Sequence, residues 1–166
     1  MLIKGDAMRK ILVAITGSKR SSKTVEYCGR QFSGMGDLSL TLLHVLPSLP
    51  ALLWDDGHIL TTGEKQERQK VVDTWLENYK RAVEPMFRNA IETLTREGIK
   101  PEQIETKTIS DSTDPATSIL EEARDGGYLT LVIGRSASSR VGELLLGTVT
   151  NSIIHHGAGL AICVVE

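Results

Sequence analysis

Aromatic side chains are scarce in this chain, at 4% of all residues. A stacking platform for single-stranded nucleic acid needs several such rings along one groove, so that function is poorly supplied. A surplus of positive charge is also lacking: acids slightly outnumber bases, and the formal net charge is −2. The basic stripe of a DNA- or RNA-binding domain is therefore not expected. Cysteine is limited to Cys28 and Cys163, which match no metal-ligand or redox spacing and read as small apolar residues of a reducing compartment. No apolar run reaches the length of a membrane span, and no secretory signal is evident. The expectation is a cytoplasmic protein that binds neither nucleic acid nor membrane.

What is present suits one ordinary domain. The 166 residues are 40% apolar and 24% charged, enough to bury a real core. A second methionine, Met8, directly precedes the first apolar run, so residues 1–8 are set apart as an N-terminal extension and 9–166 as the domain.

Five apolar, β-branched-rich segments occur at 10–16, 38–46, 104–110, 129–134 and 160–165. The first, fourth and fifth are nearly continuous apolar runs, the mark of strands covered on both faces. The third alternates with polar residues and reads as half-buried or as an edge. Between them lie helical patterns. Residues 20–33 follow a serine-rich cap, and 64–97 carry a long apolar stripe. Pro85 is expected to kink or divide that second helix, and Gly98 to stop it. Asp114 and Pro115 open a third helix, as cap and first residue. Residues 148–156 form a short fourth. Strands alternating with helices imply an α/β domain with a parallel sheet and helices on both faces. The long connection 47–63 holds Leu52, Leu53 and Trp54. It is read first as a loop folded over the sheet edge and second as a surface for a protein partner.

The first strand runs into "TGSKRSSKT", one residue short of a phosphate-binding P-loop. Gly17, Lys23 and Thr24 fit that pattern, but Ser22 stands where a second glycine is required for the backbone to approach the phosphates. No second strand ends convincingly in the acidic residue that would hold magnesium. The P-loop reading is set aside.

A better anion site follows the fourth strand. Gly134 ends that strand, small residues 136–139 come next, and Gly147-Thr148 opens a helix. Free N–H groups at a helix N-terminus beside a hydroxyl suit a phosphate. The segment resembles the C-terminal signature of the universal stress protein family: glycine, two residues, glycine, nine residues, then glycine and serine or threonine. Here it runs Gly134, Ala137, Gly147, Thr148. The resemblance takes in "KILVAITGS", "LLHV", "DPATSILEEA" and "GLAICVV", and so covers nearly all of 9–165.

What the resemblance implies is a small regulatory protein of the stress response. Its fold would be a five-stranded parallel sheet of order 3-2-1-4-5, Rossmann-like and of the adenine nucleotide alpha hydrolase type. It would pair into homodimers through strand 160–165, with ATP, with or without magnesium, as its ligand. Carried over by position, Ile15, Thr16 and Val45 would flank adenine and ribose. Gly134, Arg135, Ala137, Gly147, Thr148 and Val149 would follow the ribose and phosphates. Two departures stand out. Thr16 occupies the place of an aspartate in nucleotide-binding members, and Ala137 replaces the middle glycine. Arg135 and Arg140 would supply compensating positive charge. The alternatives are a dimeric adaptor that binds no nucleotide and a slow ATP hydrolase. For the latter no catalytic residue can be named: His44 lies inside a strand, His58 in the long loop, and His155 and His156 end a helix.

Overall fold

The computed structural model describes residues 8–46, 60–110, 112–135 and 147–166. In chain order the elements are β1 (Arg9–Ala14), α1 (Lys19–Phe32), β2 (Leu38–Val45), α2 (Thr62–Arg96), β3 (Ile104–Ile109), α3 (Pro115–Asp125), β4 (Thr130–Gly134), α4 (Thr148–His156) and β5 (Ala161–Val165). A single turn of 3-10 helix, Pro101–Gln103, leads into β3.

The five strands form one parallel sheet of order β3-β2-β1-β4-β5. The apolar run of β1 cannot leave either face in water, and it occupies the centre, with Ile11 beside Leu40 of β2 and Thr130 of β4. Alternate side chains point to opposite faces. Ile11, Val13, Leu40, Leu42 and Val132 pack with Val25 and Cys28 of α1 and Ala90 and Leu94 of α2. On the other face Leu12, Leu43, Leu131 and Ile133 pack with Ile119 and Leu120 of α3 and Ile153 of α4. Leu12, Leu40, Leu42, Leu43 and Leu131 are wholly enclosed, each stabilising the fold by about 2 kcal/mol relative to an exposed side chain.

Two expectations are corrected. The helix containing Pro85 is not divided: α2 is one 35-residue helix that continues past it. Pro85 is exposed, while Val83, Ala90 and Leu94 on the inner stripe are buried. Packing on both sides of the missing backbone bond holds the helix together across it. Close approach is possible because α1 carries Gly29, where a Cβ would lie 2.7 Å from the Cβ of Glu97. The second correction concerns β5, expected to be covered on both faces. It lies at the sheet edge with β4 as its neighbour, and its residues are exposed or half-buried throughout. The polar alternation of β3 was a reliable sign, since β3 forms the opposite edge.

Candidate functional site

After β1 the chain turns to α1 on one face of the sheet, and β4 is followed in chain order by α4 on the other. β1 and β4 are neighbours, with Ala14 beside Ile133. Diverging connections of this kind open a crevice beyond the carboxyl ends of the strands. A cavity of about 700 Å³ occupies it, within the range of small-molecule sites.

The cavity brings together six of the residues expected there: Ile15, Thr16, Val45, Gly134, Arg135 and Val149. Gly147 and Thr148 stand immediately before Val149, as the cap and first residue of α4, and are not part of the lining. Ala137, the small-residue segment 136–139 and Arg140 lie outside the described residues, as does the 47–59 part of the proposed partner loop. Ile15 contributes mainly backbone, since its side chain is buried in the core. Thr16 is exposed and lies in a hydroxyl cluster. Its Oγ1 is 2.9 Å from Ser18 Oγ and 3.1 Å from Ser21 Oγ, and its N–H donates to Ser21 Oγ at 2.7 Å. The Arg135 guanidinium contacts the carboxylate of Glu166, so its charge is shared with the last residue of the chain. Thr150 Oγ1 reaches back to the Gly134 carbonyl at 3.5 Å and ties α4 to the end of β4.

Among the described residues, two helices begin at this crevice without a side-chain cap. Neither Ser18 before α1 nor Gly147 before α4 supplies one, and neither helix has an acidic residue in its first turn. Uncapped N–H groups and the positive end of the helix dipole both favour an anion. α3 differs. Asp114 caps it, accepting from the hydroxyl of Thr117 at 2.6 Å and from its N–H at 3.0 Å. Those hydrogen bonds hold the Asp114 carboxyl below its ordinary value. The P-loop reading fails on geometry as well as motif. Residues 19–24 are already helical, and Thr24 is fully buried.

Reading the strands and helices as patterns missed two cavity residues. His44 is 6% exposed, and its ring lies 6.2 Å from that of Tyr79 at an interplanar angle of 12°. Tyr79 in turn meets Trp75 at 5.5 Å. Tyr79 looked like one more member of the α2 stripe. His44 carried a signal of its own, as the one polar ring within the apolar run "LTLLHVL". The other described histidines lie away from the cavity lining. His156 Nδ1 is 2.9 Å from the Ser152 carbonyl at the end of α4. Among the described residues, no group of three or more His, Cys, Asp or Glu side chains is placed to hold a metal ion. Cys28 is enclosed, and its thiol is pushed up to about 12 by burial and then by nearby Cys163.

The crevice fits a nucleotide in its volume, its apolar inner walls, its hydroxyl cluster and its two uncapped helix ends. Among the described residues that line it there is no carboxylate. Among the described residues, no helix is long and apolar enough to cross a membrane.

Comparison with known proteins agrees with this architecture. The chain is 26% identical to the universal stress protein YxiE of Bacillus subtilis, over 87% of its own length and 90% of that protein. It is 27% identical to a putative U-box domain-containing protein 53 of Arabidopsis thaliana. That match covers 78% of this chain and spans only 17% of the plant protein's length. Among solved structures, a universal stress protein in complex with cAMP superposes with a TM-score of 0.62 at 17% identity, covering 96% of this chain and 98% of that one. The universal stress protein of Archaeoglobus fulgidus in complex with dAMP gives 0.57 at 17% identity, covering 96% and 99%. These likenesses establish the fold. The family model for universal stress proteins matches residues 8–158, and the chain belongs to the universal stress protein family.

Proposed function

We propose that this protein binds an adenine nucleotide, with ATP and its magnesium ion as the working ligand, in the crevice between the Thr16–Ser18 turn and the start of α4. The observation that carries the reading is the meeting of two uncapped helix N-termini at one cavity beyond the switch point of the sheet. Related structures holding cAMP and dAMP support the choice of ligand class. Ile15, Thr16 and Val45 would flank the nucleoside. Gly134, Arg135, Ala137, Gly147, Thr148 and Val149 would follow the ribose and phosphates. Occupancy would be the signal of a cytoplasmic regulatory homodimer joined through β5, whose open edge is half-exposed and apolar.

Isothermal titration calorimetry with Mg-ATP and with AMP tests this directly. Saturable binding in the micromolar range is expected. No heat at millimolar ligand would leave the second reading, a dimeric adaptor acting through its surface. A hydrolase would have to release phosphate well above a Thr148→Ala control.

A further inference from the structure

β4 and β5 run on side by side past their last ladder pair. Gly134 stands beside Val165, and the Arg135 N–H donates to the Val165 carbonyl at 2.7 Å. The pairing therefore extends one residue further and sets Arg135 next to Glu166. Side chains along a strand alternate between the two faces of the sheet. Leu131 and Ile133 of β4, and Ile162 and Val164 of β5, pack on the α3–α4 face. Arg135 and Glu166 are next in each series and emerge on that face too. Most of the cavity wall belongs to it as well, through Ala14, Leu43, Ile119, Ile133 and Ile153.

Arg135 is itself part of the cavity wall, and its guanidinium is ion-paired with the Glu166 carboxylate. The arginine side chain is 26% exposed and that of the glutamate 75%, so an anion entering from solvent can reach the pair. A carboxylate and a phosphate are alternative acceptors for the same fork of guanidinium N–H donors. The uncapped first turn of α4 favours an anion, and Thr150 ties that turn to the Gly134 carbonyl, one residue from Arg135. A phosphate drawn to α4 thus arrives beside a guanidinium that already holds an anion.

We propose that Glu166 is a built-in competitor for the ligand's phosphate. It holds the Arg135 guanidinium on the β5 side, and the phosphate binds by taking its place. The inference rests on the nucleotide reading above and adds a positioning residue, one that sets affinity through Arg135 without touching the ligand. An ion pair this exposed is weak enough to exchange, so Glu166 lowers affinity without closing the site. The exchange also releases Glu166 at the end of β5, which links occupancy of the crevice to the edge strand.

Calorimetry with ATP on four forms of the full chain tests this: wild type, Glu166→Gln, Arg135→Gln and the double variant. Glu166→Gln keeps the length of the side chain and removes its charge. It should tighten ATP binding about threefold, the scale of a part-exposed ion pair. With Arg135→Gln in place, the same change should leave affinity within about 1.5-fold, because nothing remains to compete for. An equal gain in both backgrounds would make Glu166 a source of general repulsion only. No gain, or a loss, in the wild-type background would mean that it does not compete. Either result overturns the proposal while leaving nucleotide binding intact, whereas ATP bound by none of the four forms would defeat the nucleotide reading as well. If Arg135→Gln does not fold, as judged by thermal unfolding, adenosine becomes the comparison. Lacking phosphate, it should bind wild type and Glu166→Gln equally, and a gain for adenosine matching that for ATP would overturn the assignment.

Discussion

Thr16 stands where the family resemblance puts an aspartate in nucleotide-binding members, and it brings a hydroxyl to that place. Its Oγ1 is shared between Ser18 and Ser21, and Ser21 also accepts the Thr16 N–H. The cluster presents oriented hydroxyls at the cavity wall in place of a carboxylate. Thr16→Val should lower ATP affinity roughly fivefold by calorimetry while leaving the melting temperature nearly unchanged, because the side chain is exposed. Unaltered affinity would remove Thr16 from the site. The crevice positions Ile15, Thr16 and Val45 came from the family resemblance rather than from periodicity; with Gly134, each falls where an apolar run stops and each lines the cavity. His44 and Tyr79 were not legible, because each sits inside a pattern that explains it without the cavity. A periodicity tells which face a residue is on, but not what lies at the end of that face.

Among the elements, helix ends were read well and the helix interior less so. Asp114 caps α3 as its sequence position implied. Asp114→Ala should cost about 1 kcal/mol in urea denaturation at neutral pH. The pH dependence has a definite sign. The folded carboxyl lies below its ordinary value of 3.8, so its contribution is present above that value and is lost as pH falls through the lower one. The gap between wild type and variant should be full near pH 6 and close in acid. A gap that persists in strong acid would mean that the substitution acts by some other route. Pro85 shows why the interior was harder. The penalty of a proline is local, whereas the burial of Val83, Ala90 and Leu94 is tertiary, and it prevails in α2. The same distinction explains β5. Its apolar run implied cover on both faces, yet strand order alone decides which strand becomes an edge.

For the whole molecule, the proposed pairing is carried by the edge at β5. Ala161 N–H donates to Leu129 and Arg135 N–H donates to the Val165 carbonyl, so odd-numbered positions bond toward β4. The backbone groups of Ile162 and Val164 therefore face away from it. Val164→Pro should leave the β4 ladder intact while removing an outward donor. Light scattering after size exclusion should then report a dimer for the wild type and a monomer for the variant. A monomeric wild type at tens of micromolar would overturn pairing through β5. The line of rings from His44 through Tyr79 to Trp75 has a further consequence. Indole emission responds to its immediate surroundings, and Trp75 touches a residue of the cavity wall. With Trp54 replaced by Phe, Trp75 is the sole remaining tryptophan. Ligand entry should then shift or quench its fluorescence, giving the protein a built-in optical gauge of its own occupancy.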